Sequence, residues 1–430
     1  MMFRNCTSLT TYPTIAATTL IDEDGMQGMF MGCTNLTTAG DLCVTTMGDR
    51  GCQYMFSGCT KLTKAPALPA TKLAPYCYNR MFENCTSLVD APALPATELA
   101  DLCYNDMFWR CTSLKNAPEL PATTLADYCY TMMFVGCSSM ETAPVLPAVT
   151  LTPGCYEHMF VGCTSLNYVK CLATDLGDES STDGWLTNVA ANGTFVKAAG
   201  TDWTQKGTDE GTWSYDEYDE PVATTFIHGI PEGWTVNESV RLNADGEGYY
   251  WATYYNGTAG YTADESTTVY TAKVNGDQTE VVLTEVSDKT IPAGNAVVLK
   301  SSAAAATMTF DDAASGTLAD NDLQGSDTDT ATPVNTYMLV KGSSGVGFYH
   351  WTGTSIPAGR AYLTLPNNAN NRFFIPFADT DMATGISLTP AVTDRSRQDD
   401  TLYDLSGRKV ADTNPAPGIY VKNGKKVLVK

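Results

Sequence analysis

Fourteen cysteines and three histidines are the residues of this chain whose types invite chemistry, by disulfide formation, thiolate catalysis or metal ligation. Twelve of the cysteines fall into two columns. Cys6, Cys33, Cys59, Cys85, Cys111, Cys137 and Cys163 form the first, and Cys52, Cys77, Cys103, Cys129 and Cys155 the second; Cys43 and Cys171 stand outside both. Equivalent cysteines on stacked turns project side by side instead of converging, so a short Cα distance does not make them a bridge. They are expected to be free, buried thiols that pack as small hydrophobes. No metal site is expected: there is no Cys-x-x-Cys pair, and His158 stands alone before Met159. None of His158, His228 and His350 lies in a Gly-x-Ser-x-Gly, His-Glu-x-x-His or Gly-x-Gly-x-x-Gly context, so no catalytic residue and no cofactor is assigned and the chain reads as a non-enzyme. The pairs Asp311-Asp312 and Asp320-Asn321-Asp322 have the carboxylates for Ca²⁺ or acid–base work, but their Gly, Ala, Ser and Thr surroundings favour solvated turns.

The cysteines are positioned by a repeat. Met-Phe pairs fall at Met2, Met29, Met55, Met81, Met107, Met133 and Met159, a spacing of 27 once and then 26 five times. Each is followed by a cysteine four residues after the Met and by a leucine or methionine three further on (Leu9, Leu36, Leu62, Leu88, Leu114, Met140, Leu166). A constant period with variable letters between means one structural turn per period, its fixed columns pointing inward. From that leucine, L-x-x-A-P-x-L-P-A recurs in four turns, with Met140 in place of the first leucine in the last, and its prolines (Pro66 and Pro69 through Pro144 and Pro147) allow only short strand or polyproline-like structure. The other arm, as in ATTLADYCYTMMF at 122–134, has spacing compatible with a short helix or an irregular turn.

The Phe-x-x-Cys-x-x-Leu step followed by a short strand resembles the BspA-type leucine-rich repeat of bacterial surface proteins. It recurs seven times over residues 1–175, in a longer form with Met before Phe and a double proline. The resemblance implies a leucine-rich-repeat solenoid and adhesion to host matrix proteins or other bacteria. Between the fixed columns the letters change: Thr63 and Lys64, Val89 and Asp90, Lys115 and Asn116, Glu141 and Thr142, Asn167 and Tyr168. If that segment is the inner strand, these side chains make a solvent-facing ladder, about 30 Å long at about 4.8 Å per rung. Candidate binding residues are therefore Lys64, Asp90, Lys115, Asn116, Glu119, Glu141 and Tyr168. A second set, Trp109, Arg110, Val135 and Val161 between Phe and Cys, is read as exposed, with Trp109 the best single anchor.

Beyond Cys171 the repeat stops. Residues 176–240, with Trp185, Trp203, Trp213 and Trp234, are expected to cap the last turn and lead out of it, with the acidic run from Asp209 to Glu220 a loop. Residues 241–385 alternate in strand fashion, and TIPAGNAVVLK at 290–300 returns as SIPAGRAYLTL at 355–365, the mark of an internally duplicated β-sandwich-like domain. Such domains are similar to accessory β domains of Bacteroides-group surface proteins. GYYWATYY at 248–255 puts Tyr250 and Tyr254 on one face and Trp251 and Tyr255 on the other, which serves either a core or a glycan. The last segment, 386–430, reads as strands around a Ser406-Gly407 turn and an Asn423-Gly424 hairpin. It resembles the sorting segment associated with type IX secretion through Leu402–Arg408, Gly418-Ile419-Tyr420 and a lysine-rich end.

Composition sets the boundaries of function. A net charge of −22, from 48 acidic and 26 basic residues, argues against nucleic acid. No apolar run is long enough for a membrane-spanning helix. The chain opens inside a repeat, which reads as a trimmed start with a signal peptide upstream, so the expected location is extracellular or on the cell surface. The expected function is protein binding through the repeats. Glycan binding through the β-domain aromatics and a spacer without ligand are the alternatives.

Overall fold

The structure is a computed structural model that describes residues 2–12, 14–20, 23–213, 222–365 and 373–378, with backbone alone at 205, 211–213 and 222–224, and the backbone of three strands beyond residue 400. It divides into two units, Met1–Ala378 and Asp379–Lys430. Strands and turns make up nearly all of it. Among the described residues the helices are two 3₁₀ turns, Glu179–Thr182 and Thr204–Lys206, and none is long and apolar enough to cross a membrane.

The arm expected as a short helix or irregular turn is a run of overlapping turns. Cys77, Asn79, Met81, Glu83 and Cys85 donate their N–H groups to carbonyls three residues back, while Tyr78, Arg80, Phe82 and Asn84 donate to Cys103, Asn105, Met107 and Trp109 of the next repeat. Every backbone donor from Cys77 to Cys85 is thus satisfied, alternately within its own repeat and across to the neighbour. An α-helix directs its N–H groups along its axis and has none left for a lateral partner, so the backbone bonds to the next repeat exclude it here. The alternation demands a left-handed residue at every fourth position. Tyr76, Arg80, Asn84, Leu102, Asp106 and Arg110 have φ of 52–57°, and glycine takes equivalent places at Gly28, Gly58, Gly136 and Gly162.

Inside the stack, Phe30, Phe56, Phe82, Phe108, Phe134 and Phe160 lie face to face, with centroids 5.5–5.7 Å apart and planes within 2–6° of parallel. A second pile runs through Tyr78, Tyr104, Tyr130 and Tyr156 at 5.7–6.1 Å. The cysteines fill the space beside these rings. All fourteen are free thiols, and twelve are buried. Cys59, Cys85, Cys111, Cys137 and Cys163 donate S–H to the carbonyls of Phe30, Phe56, Phe82, Phe108 and Phe134 at 3.1–3.3 Å. Burial pushes the Cys52, Cys103 and Cys171 thiols up to about 12, leaving almost no thiolate at neutral pH. A thiol-reactive probe followed by mass spectrometry should therefore label Cys6, which is exposed, and Cys43, which is half-buried, in the native protein. The other twelve should react only on unfolding. Rapid native labelling of more than two would contradict this packing.

Repeats also meet through parallel bridges. Short strands β1 (Thr19–Leu20) and β2 (Thr46–Met47) pair in parallel, and single bridges join Thr38 to Lys64, Asp90 to Asn116, and Thr142 to Tyr168. The last column continues past the final regular repeat. Strand β3 (Tyr168–Cys171) pairs in parallel with β4 (Thr194–Ala198), the hairpin β5 (Thr208–Trp213) and β6 (Val222–Ile227) follows, and β4 pairs in parallel with β7 (Thr235–Arg241). The acidic run expected as a loop is thus a strand in its first part, and its residues 214–220 lie outside the described ones. Trp185, Trp203 and Trp234 are buried over this end of the stack, Trp185 and Trp203 extending the tyrosine pile at 6.2 and 5.4 Å.

The stack passes directly into the duplicated β region. Strand β7 belongs to a six-stranded sheet whose other side is antiparallel. The next strands are β8 (Asn243–Ala244), β9 (Tyr250–Tyr255), β10 (Tyr261–Ala263), β11 (Thr267–Val274), β12 (Val281–Glu285), β13 (Thr290–Ile291), β14 (Ala296–Ser301) and β15 (Ala305–Phe310). The sheets β13-β10-β15-β7 and β12-β11-β14-β9-β8 share one core of Val240, Tyr254, Val269, Val297, Leu299 and Met308. After Asn275 the chain takes a loop to Glu280, longer than the tight Asn-Gly turn its sequence suggests.

The second copy comprises β16 (Gln324–Gly325), β17 (Thr330–Ala331), β18 (Thr336–Gly342), β19 (Gly345–His350), β20 (Ser355–Ile356) and β21 (Ala361–Thr364), with β22 (Phe374–Pro376) added at its edge. Its order β16-β21-β18-β19 repeats β9-β14-β11-β12, and β17 with β20 repeats β10 with β13. The shared Ile-Pro-Ala-Gly is the turn into the central strand. Gly294 and Gly359 have φ of +76° and +70°, and their N–H groups bond the carbonyls of Asn256 and Ser326, the residues that follow β9 and β16. In the second unit, β23 (Leu402–Tyr403), β24 (Gly418–Lys422) and β25 (Lys425–Val429) form an antiparallel sheet in that order. The Ser406-Gly407 and Asn423-Gly424 turns and the remainder of 386–430 lie outside the described residues.

Candidate functional site

The structure sorts the candidate residues by arm. Lys64, Asp90 and Asn116 stand exposed on one bridged column, with half-buried Tyr168 at its end. The Asn116 side-chain amide donates to the Asp90 carboxylate. Lys115, Asn116 and Glu141 come together with Ser139 and Thr142 around a shallow depression of about 250 Å³. Glu119 is exposed on the proline arm and does not line it.

The second set behaves otherwise. Val135 and Val161 are fully buried, each just before a left-handed glycine. Trp109 is half-buried and clasped, with the Arg80 guanidinium 4.9 Å and that of Arg110 5.7 Å from its ring. Arg80 also pairs with Asp106 at 3.1 Å. Asp106 is 3% exposed, and its burial outweighs that partner, raising the carboxyl to about 6.

The aromatics of strand β9 are wholly or partly covered, while Tyr249 just before it is exposed. Trp251 has Phe377 stacked at 5.4 Å and Lys300 at 5.1 Å, and its N–H bonds Asp245. Tyr254 is in the core. Tyr255 instead joins Trp203, Asp202, Asn256 and Asp327 in lining a cavity of about 660 Å³ where the stack meets the duplicated β region. The acidic pairs are structural turns: Asp322 caps the Val274 N–H and pairs with Lys273, and Asp311 bonds the Ala313 N–H.

Two features escaped sequence reasoning. A polar column stands two residues before each Met of the repeat, at Gln27, Gln53, Asn79, Asn105, Thr131 and Glu157. Its period of 26 is a signal present in the sequence, masked by the change of letter from rung to rung. Gln27 donates to Gln53, Gln53 to Asn79 and Asn79 to Asn105 at 2.5–2.7 Å, side chain to side chain, and Asn105 then donates to the Thr131 carbonyl. The column ends on two carboxylates, Glu157 and then Asp183, whose carbonyl accepts from His158. Burial, then Asp183, holds the Glu157 carboxyl above its ordinary range.

The other feature corrects the reading of His158 as solitary. It is 8% exposed, lies edge-on to Phe226 at 5.8 Å, and has Glu157, Asp183 and His228 as neighbours. Burial lowers its imidazole below the usual range, so the ring is neutral at physiological pH. His228 places one ring nitrogen 2.9 Å from Asp183 and the other 2.9 Å from Asp209. No sequence signal joins positions 158 and 228; the fold does.

Comparison with protein-family models, with curated proteins and with solved structures found no match.

Proposed function

We propose that the chain is a non-enzymatic binding protein of a bacterial surface, its repeats a leucine-rich-repeat solenoid of the BspA type and its ligand another protein. One contrast carries this reading. The Phe, Cys and Leu columns repeat and are buried, while the column through Lys64, Asp90, Asn116 and Thr142 is exposed and changes chemistry at every rung. Core columns are uniform because stacking demands it; an exposed bridged face is free to carry specificity. Lys115, Asn116 and Glu141 offer both charges and an amide around one depression, which suits orientation and pairing with a polar protein surface. Tyr168 supplies the aromatic area. Residues 241–385 serve as a spacer and residues 386–430 as the export segment.

The test is solid-phase binding of the full chain to a panel of host matrix proteins and bacterial surface proteins. For any ligand retained, Lys115→Ala with Asn116→Ala should weaken binding by about tenfold or more while the thermal midpoint stays unchanged. No ligand in the panel, or equal affinity of the double variant, would remove the reading. Glycan binding is favoured by a different observation, the cavity lined by Tyr255 and Trp203. A glycan-array signal lost on Tyr255→Ala would transfer the function there.

A further inference from the structure

We propose that Glu157, His158 and Asp183 form a binding site for one divalent cation of the zinc class, at the place where the last regular repeat meets the turn that closes the stack. One donor atom from each lies within 4.8 Å of the others, so a small inward movement reaches the metal–ligand distances of about 2.0–2.2 Å that zinc takes from imidazole and carboxylate.

The polar column explains why a cation belongs there. An amide both donates and accepts, so Gln27, Gln53, Asn79 and Asn105 can hand a hydrogen bond from rung to rung. An ionised carboxylate only accepts. That relay stops at Thr131, whose hydroxyl donates to the Gly154 carbonyl, and Glu157 and Asp183 follow on consecutive rungs as two like charges, for which a metal ion bound by both would supply the positive partner.

The surroundings hold the donors as ligands are held. His228 lies against Asp183, its Nδ1 2.9 Å from that carboxylate and accepting the Gly184 N–H at 3.2 Å, and its Nε2 is 2.9 Å from Asp209. Gly184 follows Asp183 with φ of +55°, and a Cβ there would lie 3.0 Å from the Cδ2 and Nε2 atoms of His158. The missing side chain therefore leaves room for the imidazole. One nitrogen and two carboxylate donors favour a borderline transition cation over Ca²⁺ or Mg²⁺, which take oxygen ligands. The ion would tie the final repeat to residues some 25 positions later, and through His228 and Asp209 to the β5–β6 hairpin.

The experiment is titration of the full chain, stripped with a chelator, with ZnCl₂ alone against a chromophoric competitor, and with Co²⁺ for its absorption spectrum. One equivalent should bind, without a thiolate charge-transfer band in the Co²⁺ form, and zinc should raise the thermal midpoint. Glu157→Gln and His158→Met introduce the residue types found at Gln53 and Met132 in the same columns, so both should fold and lose about tenfold or more in affinity. His350→Ala should bind as the parent does. Failure to take up one equivalent, a thiolate band, or unchanged affinity in both folded variants would overturn the site.

Discussion

Replacing Trp185 by alanine is expected to destabilise the Met1–Ala378 unit by about 3–5 kcal/mol, the range for emptying a buried aromatic position. Trp185 is wholly buried. It stacks on Tyr156 at 6.2 Å and on Trp203 at 5.4 Å, meets Phe195 edge-on at 6.0 Å, and donates its N–H to the Gly229 carbonyl at 2.9 Å. Alanine would leave a void at the end of the tyrosine pile and an unpaired carbonyl. The stack cannot close over such a void by shifting one ring, because each ring's position is set by the backbone ladder beneath it. Denaturant unfolding followed by tryptophan fluorescence and by far-UV dichroism measures the loss. A change under about 1 kcal/mol would mean that the end of the stack is sealed by something else.

The second large effect is expected at Lys197. It is the cross-strand partner of Glu238 where the parallel strands β4 and β7 meet, its ammonium 2.9 Å from a carboxylate that is 1% exposed. Tyr254 and Asn256 also donate to Glu238, at 2.8 and 3.3 Å. Two neutral donors do not balance a buried charge, so Lys197→Met should cost about 3–5 kcal/mol. Adding Glu238→Gln removes the stranded charge and keeps an acceptor for the Tyr254 hydroxyl, so the double variant should recover most of the loss. The two single variants and the double variant, compared by urea unfolding, measure the coupling. Independent, additive losses would show that the pair does not hold this junction.

The two sites share a cause. Both lie where the repeat gives way to the duplicated β region, so Trp203 and Phe195 beside the one and Glu238 beside the other are not supplied by a column. Elsewhere a residue and its neighbour are 26 positions apart by rule, and the interior could be read directly: Phe108 predicts a stack with Phe82 and Phe134 because all three hold one register. The same regularity left two answers open at the Met-Phe arm. Leu125, Cys129 and Met133 have a spacing that serves a helix or a string of turns equally well, and lateral hydrogen bonding to the next repeat decided between them. It misled at Val135 and Val161, which read as exposed and are fully buried, between left-handed Met132 and Gly136 and between left-handed His158 and Gly162.

The burial of the cysteine columns from Cys33 onward was determined by the sequence alone, since a small apolar side chain kept unchanged at a constant period packs on its own copies in the interior. The exposed column through Lys64, Asp90 and Asn116 followed from the same period. The duplicated strand unit was legible too, because Ile-Pro-Ala-Gly marks the same turn twice. Only the tertiary structure decided that His158 meets Asp183 and His228, that Lys197 faces Glu238, and that Tyr255 shares a cavity with Trp203. A period specifies contacts between copies of one position. Contacts between unlike segments depend on how the irregular turns after Cys171 fold back over the stack, and no local pattern encodes that path.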